Sequence, residues 1–198
     1  MKKNIYADDE KYRIKQRNCS DYNTLKSFCF KMTLFNIKNY TEEIDNYLDI
    51  GSQEGQFASL LDKNVKINNV YCNDINKITI DEGKKKYPKF NWIHSNIEEA
   101  NISVKFNLIT SLNIMHQLFT IENIKKIYNL LHKDGYFVIL YGDINFEEKN
   151  ITYDDILVLF KKVGFKIINT VKTYENQLIE TQHHLMANRW YTCLILQK

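Results

Sequence analysis

Residues 47–61, YLDIGSQEGQFASLL, decide how this chain is read. An apolar segment, YLDI, runs into a loop set between Gly51 and Gly55, and the helical spacing of QFASLL follows. A strand that turns through glycines into a helix opens a parallel α/β sheet, and such a loop usually cradles a charged or nucleotide-like ligand. Gln53 holds the centre of the loop, where a nucleotide-binding loop often carries another glycine.

The same alternation continues outward. IDNYLDI (44–50), INNVYCND (67–74), FNWIH (90–94), FNLITSL (106–112) and YFVILY (136–141) read as strands. Helical spacing separates them, in 54–63, 75–87 and 121–133, with Thr120 as an N-cap and Asp134-Gly135 as the turn into the fifth strand. Thr152 and Asp155 fit a capping box at the head of a helix over 153–163, which Gly164 closes. FKIINTVKTY (165–174) and RWYTCLILQK (189–198) are two strands with a polar connection and no helix between them, so they form an antiparallel hairpin at one edge. The expectation is a seven-stranded, mostly parallel sheet with helices on both faces. The chain is read as one domain, 1–198, with residues 1–40 as a helical N-terminal appendage.

Composition sets the class. The chain has 198 residues, 44% apolar and 26% charged, enough to build one sizeable core without disorder. A net charge of +3 permits an acidic partner such as RNA without demanding one. No apolar run is long enough for a transmembrane helix, and the first residues lack the apolar core of a signal peptide. Cys19, Cys29, Cys72 and Cys193 show no CxxC spacing, and Cys29 and Cys72 sit among apolar neighbours. Free buried thiols and a reducing, cytoplasmic setting are expected.

In an open parallel sheet, ligands bind at the carboxyl ends of the strands, where strand order reverses. Asp49 and the Gly51 loop follow the first strand, Asp74 ends the second, residues 94–97 follow the third and 111–116 the fourth. Polar or small residues at four successive strand ends mark a binding crevice. Glu54 stands at the start of the helix and would repel a phosphate, and GxxxxGK[ST] is absent. A ligand with a cationic amino-acid end, a nucleoside end and no phosphate suits this loop.

Taken together, these segments resemble the class I S-adenosylmethionine-dependent methyltransferases. YLDIGSQEGQFASLL is similar to their first motif, VYCNDIN to the second, HSNIEEA to the third and FNLITSLNIMHQLF to the fourth. IYNLLHKDGYFVIL resembles the segment usually written LLKPGGxxxI. The motifs stand in order from Tyr47 to about Leu140, and Gln53 departs from the pattern at the middle glycine. The resemblance implies a Rossmann-like fold and S-adenosylmethionine as cofactor. By it, Asp49 meets the amino group of the methionine moiety, which passes against Gly51 with Ser52, Gln53 and Gly55 around it. Asp74, with Ile75 beside it, takes the ribose hydroxyls. Asn96 and Ile97 meet the adenine, and Ser111 and Leu112 line the methyl-donor side.

Methyl transfer from a sulfonium is an in-line displacement, and a base is needed only when the acceptor must lose a proton. His116 is the candidate, against the plainer reading of a helix-start histidine that packs or binds substrate. The Lys-Asp-Lys-Glu set of ribose methylases and the NPPY-type motif are missing, and His183-His184 lacks the partners of a metal site. Basic and aromatic residues interleave before residue 26, as in segments that hold RNA. NTLKS and LNIMHQLF faintly resemble two segments of mRNA cap guanine-N7 methyltransferases, which would set Lys26 on the cofactor carboxylate and His116 on the guanine. The same segment, with Tyr12 and Arg17, serves equally as a lid over the crevice. Three readings stay open: a methyltransferase of RNA or a nucleotide, one of a small metabolite, and a non-catalytic methyltransferase-like subunit that binds a protein partner.

Overall fold

A computed structural model describes residues 20–142, 150–175, 180–181, 184–185 and 189–198. Helix α1 (Ser20–Lys38) precedes β1 (Glu43–Ile50), α2 (Gln56–Asp62), β2 (Lys66–Asp74), α3 (Lys77–Lys86) and β3 (Asn91–His94). Next come β4 (Phe106–Leu112), the single turn α4 (Met115–Leu118), α5 (Ile121–Leu130) and β5 (Leu131–Gly142). The chain closes with α6 (Tyr153–Val163), β6 (Lys166–Glu175), a small hairpin of β7 (Glu180–Thr181) and β8 (His184–Leu185), and β9 (Arg189–Gln197).

Seven strands form one sheet in the order β3-β2-β1-β4-β5-β9-β6. The first five are parallel, and β9 runs antiparallel to both of its neighbours. The two final strands pair as the sequence suggests, but the later one adjoins β5. Burial explains the placement. Every residue from Tyr191 to Leu196 is buried, whereas none from Lys166 to Lys172 is, so β9 suits the interior and β6 the edge.

Strand periodicity splits the core between two faces. Tyr47, Cys72, Leu108, Leu140 and Cys193 pack on one side with Cys29 and Ile37 of α1 and with Phe57, Ala58 and Leu61 of α2. Leu48, Ile50, Ile109, Phe137 and Ile139 pack on the other with Ile124 and Ile127 of α5 and with Ile156 and Phe160 of α6. The second half of α1 therefore belongs to the sheet packing. The segment before about Lys26, expected as a lid, falls mostly outside the described residues, which begin at Ser20.

Capping fixes the helix ends. Thr120 Oγ1 accepts from Asn123 N at 3.2 Å, and Thr152 and Asp155 make the reciprocal box, with amide bonds of 3.1 and 2.9 Å. Helix α5 stops at Leu130, three residues short of the expected end, because Leu131 turns extended and pairs with Phe106 of β4, ahead of the left-handed turn at Asp134.

Strand order reverses at β1, which pairs with β2 on one side and β4 on the other. Register brings Ile50, Asn73 and Ser111 level, so the polar ends of three strands share one rim.

Cys29, Cys72 and Cys193 are buried free thiols. Burial pushes the Cys193 thiol up to about 12, and burial followed by the nearby Asp49 charge raises Cys72. All three should resist a water-soluble thiol reagent at pH 8 and react once the protein is unfolded. Peptide mapping of the labelled protein checks this, and rapid native labelling of Cys72 or Cys193 would contradict the packing.

Candidate functional site

The loop after β1 turns on three left-handed residues: Gly51 (φ +73°), Gln53 (φ +50°) and Gly55 (φ +76°). Its amides are directed at the end of β2. Gly51 N and Ser52 N both donate to Asn73 O, at 2.8 and 3.0 Å, and Gln53 N donates to Asp74 Oδ2 at 2.9 Å. Gly55 N turns back to Ser52 O at 2.9 Å. A phosphate nest needs successive amides pointing outward, and here those of Gly51, Ser52 and Gln53 are spent on β2 and that of Gly55 on Ser52. A left-handed non-glycine costs about 1–2 kcal/mol, and the bond to Asp74 holds Gln53 there.

Asp74 is fixed from two directions. Its Oδ1 accepts from Asn76 N at 2.8 Å while Oδ2 takes Gln53 N. Asn76 then N-caps α3 by accepting from Ile78 N at 2.9 Å, so one carboxylate links the glycine loop to the next helix. Asn73 ties the third strand in by donating to Ser95 O at 2.9 Å and Ile93 O at 3.2 Å.

Asp49 is buried at the end of a polar chain inside the core. Thr110 Oγ1 donates to Asp49 Oδ1 at 2.7 Å and lies 2.7 Å from Tyr47 Oη. Thr110 has one hydroxyl proton and spends it on Asp49, so Tyr47 is the donor to Thr110. Burial, followed by the Asp49 charge, holds the Tyr47 phenol well above its ordinary value. It stays neutral and able to donate.

The other expected positions vary in role. Asn96 is half-buried and shapes the turn after β3, its Oδ1 accepting from Glu98 N at 3.3 Å and its carbonyl from Ala100 N at 3.0 Å. The Ile97 side chain packs in the core, and Ile75 and Leu112 are half-buried at their strand ends. Ser111 is fully buried at the end of β4, and its hydroxyl has no hydrogen-bond partner among the described residues. His116 stands in the turn α4 and Lys26 in the first half of α1, and their side chains lie outside what the structure describes. Tyr12 and Arg17 fall outside the described residues.

Sequence reasoning missed Tyr47, Asn73, Asn76 and Thr110. Their signal was faint but present: a polar residue one or two positions from a strand-end acid, or opposite it. Asp49, Glu54 and Asp74 are buried at the exits of β1 and β2, while Glu98 and Glu99 are exposed after β3, where Lys126 Nζ donates to the carbonyls of Glu98 and Ala100. The arrangement suits a cationic and hydroxyl-rich ligand.

Known proteins agree with this geometry. Residues 48–139 match the family model described as a methyltransferase domain. Over 118 residues the chain is 32% identical to a malonyl-[acyl-carrier protein] O-methyltransferase from Calditerrivibrio nitroreducens, a match covering 58% of this chain and 46% of that relative. The match thus spans about half the length of the relative. Among solved structures, a TehB-like SAM-dependent methyltransferase from Corynebacterium glutamicum superposes with a TM-score of 0.64 at 22% identity, covering 84% of this chain and 86% of the other. The N-methyltransferase NodS from Bradyrhizobium japonicum with S-adenosyl-L-homocysteine gives 0.65 at 12% identity, covering 94% and 98%. These likenesses share the Rossmann-like fold.

Two substitutions test the local physics. Thr110→Val should destabilise by about 1–3 kcal/mol, because buried Asp49 loses a donor and Tyr47 an acceptor, while Thr110→Ser should stay near wild type. Thermal melts separate them, and equal melts would remove the chain Tyr47–Thr110–Asp49. Gln53→Gly should raise the melting temperature by about 2–4 °C for each kcal/mol of relieved strain, and a lowered one would show that the Gln53 side chain outweighs its backbone cost.

Proposed function

We infer that this chain, a class I methyltransferase over residues 48–139, binds S-adenosylmethionine at the reversal point of the sheet and methylates a small acceptor, free or carried on a protein. The loop 51–55 carries this reading. It turns through left-handed glycines at Gly51 and Gly55 and commits the amides of Gly51, Ser52, Gln53 and Gly55 to protein acceptors, beside the buried carboxylates of Asp49 and Asp74. When bound, S-adenosylmethionine supplies an electrophilic methyl group that the acceptor's lone pair takes in line, the carbon–sulfur electrons returning to sulfur.

The chain's own residues bind and orient. Asp49, held by Thr110, takes the ammonium end. Asp74 takes ribose hydroxyls on the carboxylate that already receives Gln53 N and Asn76 N. Asn96 and the backbone of Ile97 take the adenine, and Ser111 gives its buried hydroxyl to the donor side. Leu112 and Met115 keep that side apolar, which excludes water from the displacement. His116 is the residue of the fourth strand end able to accept a proton near neutral pH. The roof is assigned to the segment before about Lys26, with Tyr12, Arg17 and Lys26 toward the ligand.

The exposed acids Glu98 and Glu99 after β3 favour a small acceptor over RNA, whose phosphates they would repel. The relative whose name gives a malonyl group on a carrier protein points the same way. Calorimetric titration with S-adenosylhomocysteine tests the cofactor site. Asp74→Ala should weaken binding tenfold or more, because a hydrogen bond to a charged group is worth about 1.5–3 kcal/mol. A folded variant with wild-type affinity would refute the assignment. Retention on immobilised RNA should be weak at every salt concentration. A steep salt dependence abolished by removing residues 1–17 would make the acceptor a nucleic acid.

A further inference from the structure

Gly51 is the residue against which a ligand's amino-acid end would pass, and its open side is already in use. A Cβ built on Gly51 would lie 2.3 Å from Ile114 Cδ1, 3.0 Å from Cγ1 and 3.3 Å from Cγ2. The whole Ile114 side chain therefore rests on the glycine Cα, in the volume that the missing side chain vacates. Ile114 reaches it from the segment after β4. Asn113 adopts a left-handed φ of +61°, and its amide donates to Leu140 O at 2.7 Å, which fixes the direction in which the chain leaves the strand. Ile114 is half-buried and packs against the core cluster of Ile50 and Met115.

We propose that Ile114 sets the affinity for the amino-acid end of the cofactor, by occupying its place against Gly51 and having to turn aside when it binds. The inference rests on the S-adenosylmethionine site above. It concerns one end of that ligand. The adenosine end, assigned to Asp74 and Asn96, does not approach Ile114, so the side chain taxes only ligands that carry the aminobutyrate tail. Both the turn of a β-branched side chain away from its preferred rotamer and its lost contacts oppose binding.

The experiment compares S-adenosylhomocysteine with 5′-methylthioadenosine, which has the nucleoside and thioether but no amino acid. Ile114→Ala should tighten S-adenosylhomocysteine by roughly threefold to tenfold, the range set by one off-rotamer side chain, and leave methylthioadenosine unchanged. Ile114→Phe should weaken the first and spare the second. Thermal melts on the same samples establish that both variants are folded. Weaker or unaltered S-adenosylhomocysteine binding by folded Ile114→Ala, or equal shifts for both ligands, would overturn the inference while leaving the cofactor site standing. Failure of the wild-type protein to bind either ligand would overturn the site itself, and this inference with it.

Discussion

The carboxylate of Asp74 is the joint on which the site depends. It ends β2, grips Gln53 N at 2.9 Å in the glycine loop and Asn76 N at 2.8 Å at the head of α3. Asn73, one residue earlier, receives Gly51 N and Ser52 N on its carbonyl and reaches across to Ser95. Two adjacent residues thus hold the exits of β1, β2 and β3 in one arrangement. Hydrogen bonds to a charged acceptor are stronger than neutral ones, which lets this joint keep Gln53 in a conformation that glycine adopts freely.

The joint also explains the ligand class. A loop whose amides are turned inward cannot receive a pyrophosphate, however many glycines it has. The charges beside the loop are negative: buried Asp49, fixed by Thr110, and Asp74 itself. A cationic amino-acid end and ribose hydroxyls match those groups. The substitution of Gln for Gly at position 53 therefore costs backbone energy without closing the site, because the bond that restrains it belongs to the loop's own geometry.

Much of this was legible in the sequence, and the reasons are physical. Strand and helix periodicities gave the order of elements, and the capping residues Thr120 and Thr152 lie where helices begin. Asp49, Gly51 and Asp74 stood out because acids and glycines are rare at the ends of apolar strands. Strand order at the edge was not legible, since the apolar run 191–196 reads the same in an edge or an interior strand. Pairwise roles were hidden as well. Thr110 looks like any β-branched strand residue until register sets it opposite Asp49. Ile114 looks like core until the left-handed Asn113 turns it over Gly51.

The same logic separates what the two halves of the crevice can do. On the side of β1 and β2, both Asp74 oxygens and the Asn73 carbonyl are tied to backbone amides and Asp49 is tied to Thr110, so these strand ends are held rigidly. On the side of β4, Ser111 is buried without a partner and Leu112, Ile114 and Met115 are apolar, so little there fixes a polar acceptor. A buried hydroxyl without a partner is costly, and it is tolerated where a ligand completes it. The firm hold on Asp74 and Asp49 and the unpartnered hydroxyl of Ser111 thus follow from one register of β1 with its two neighbours.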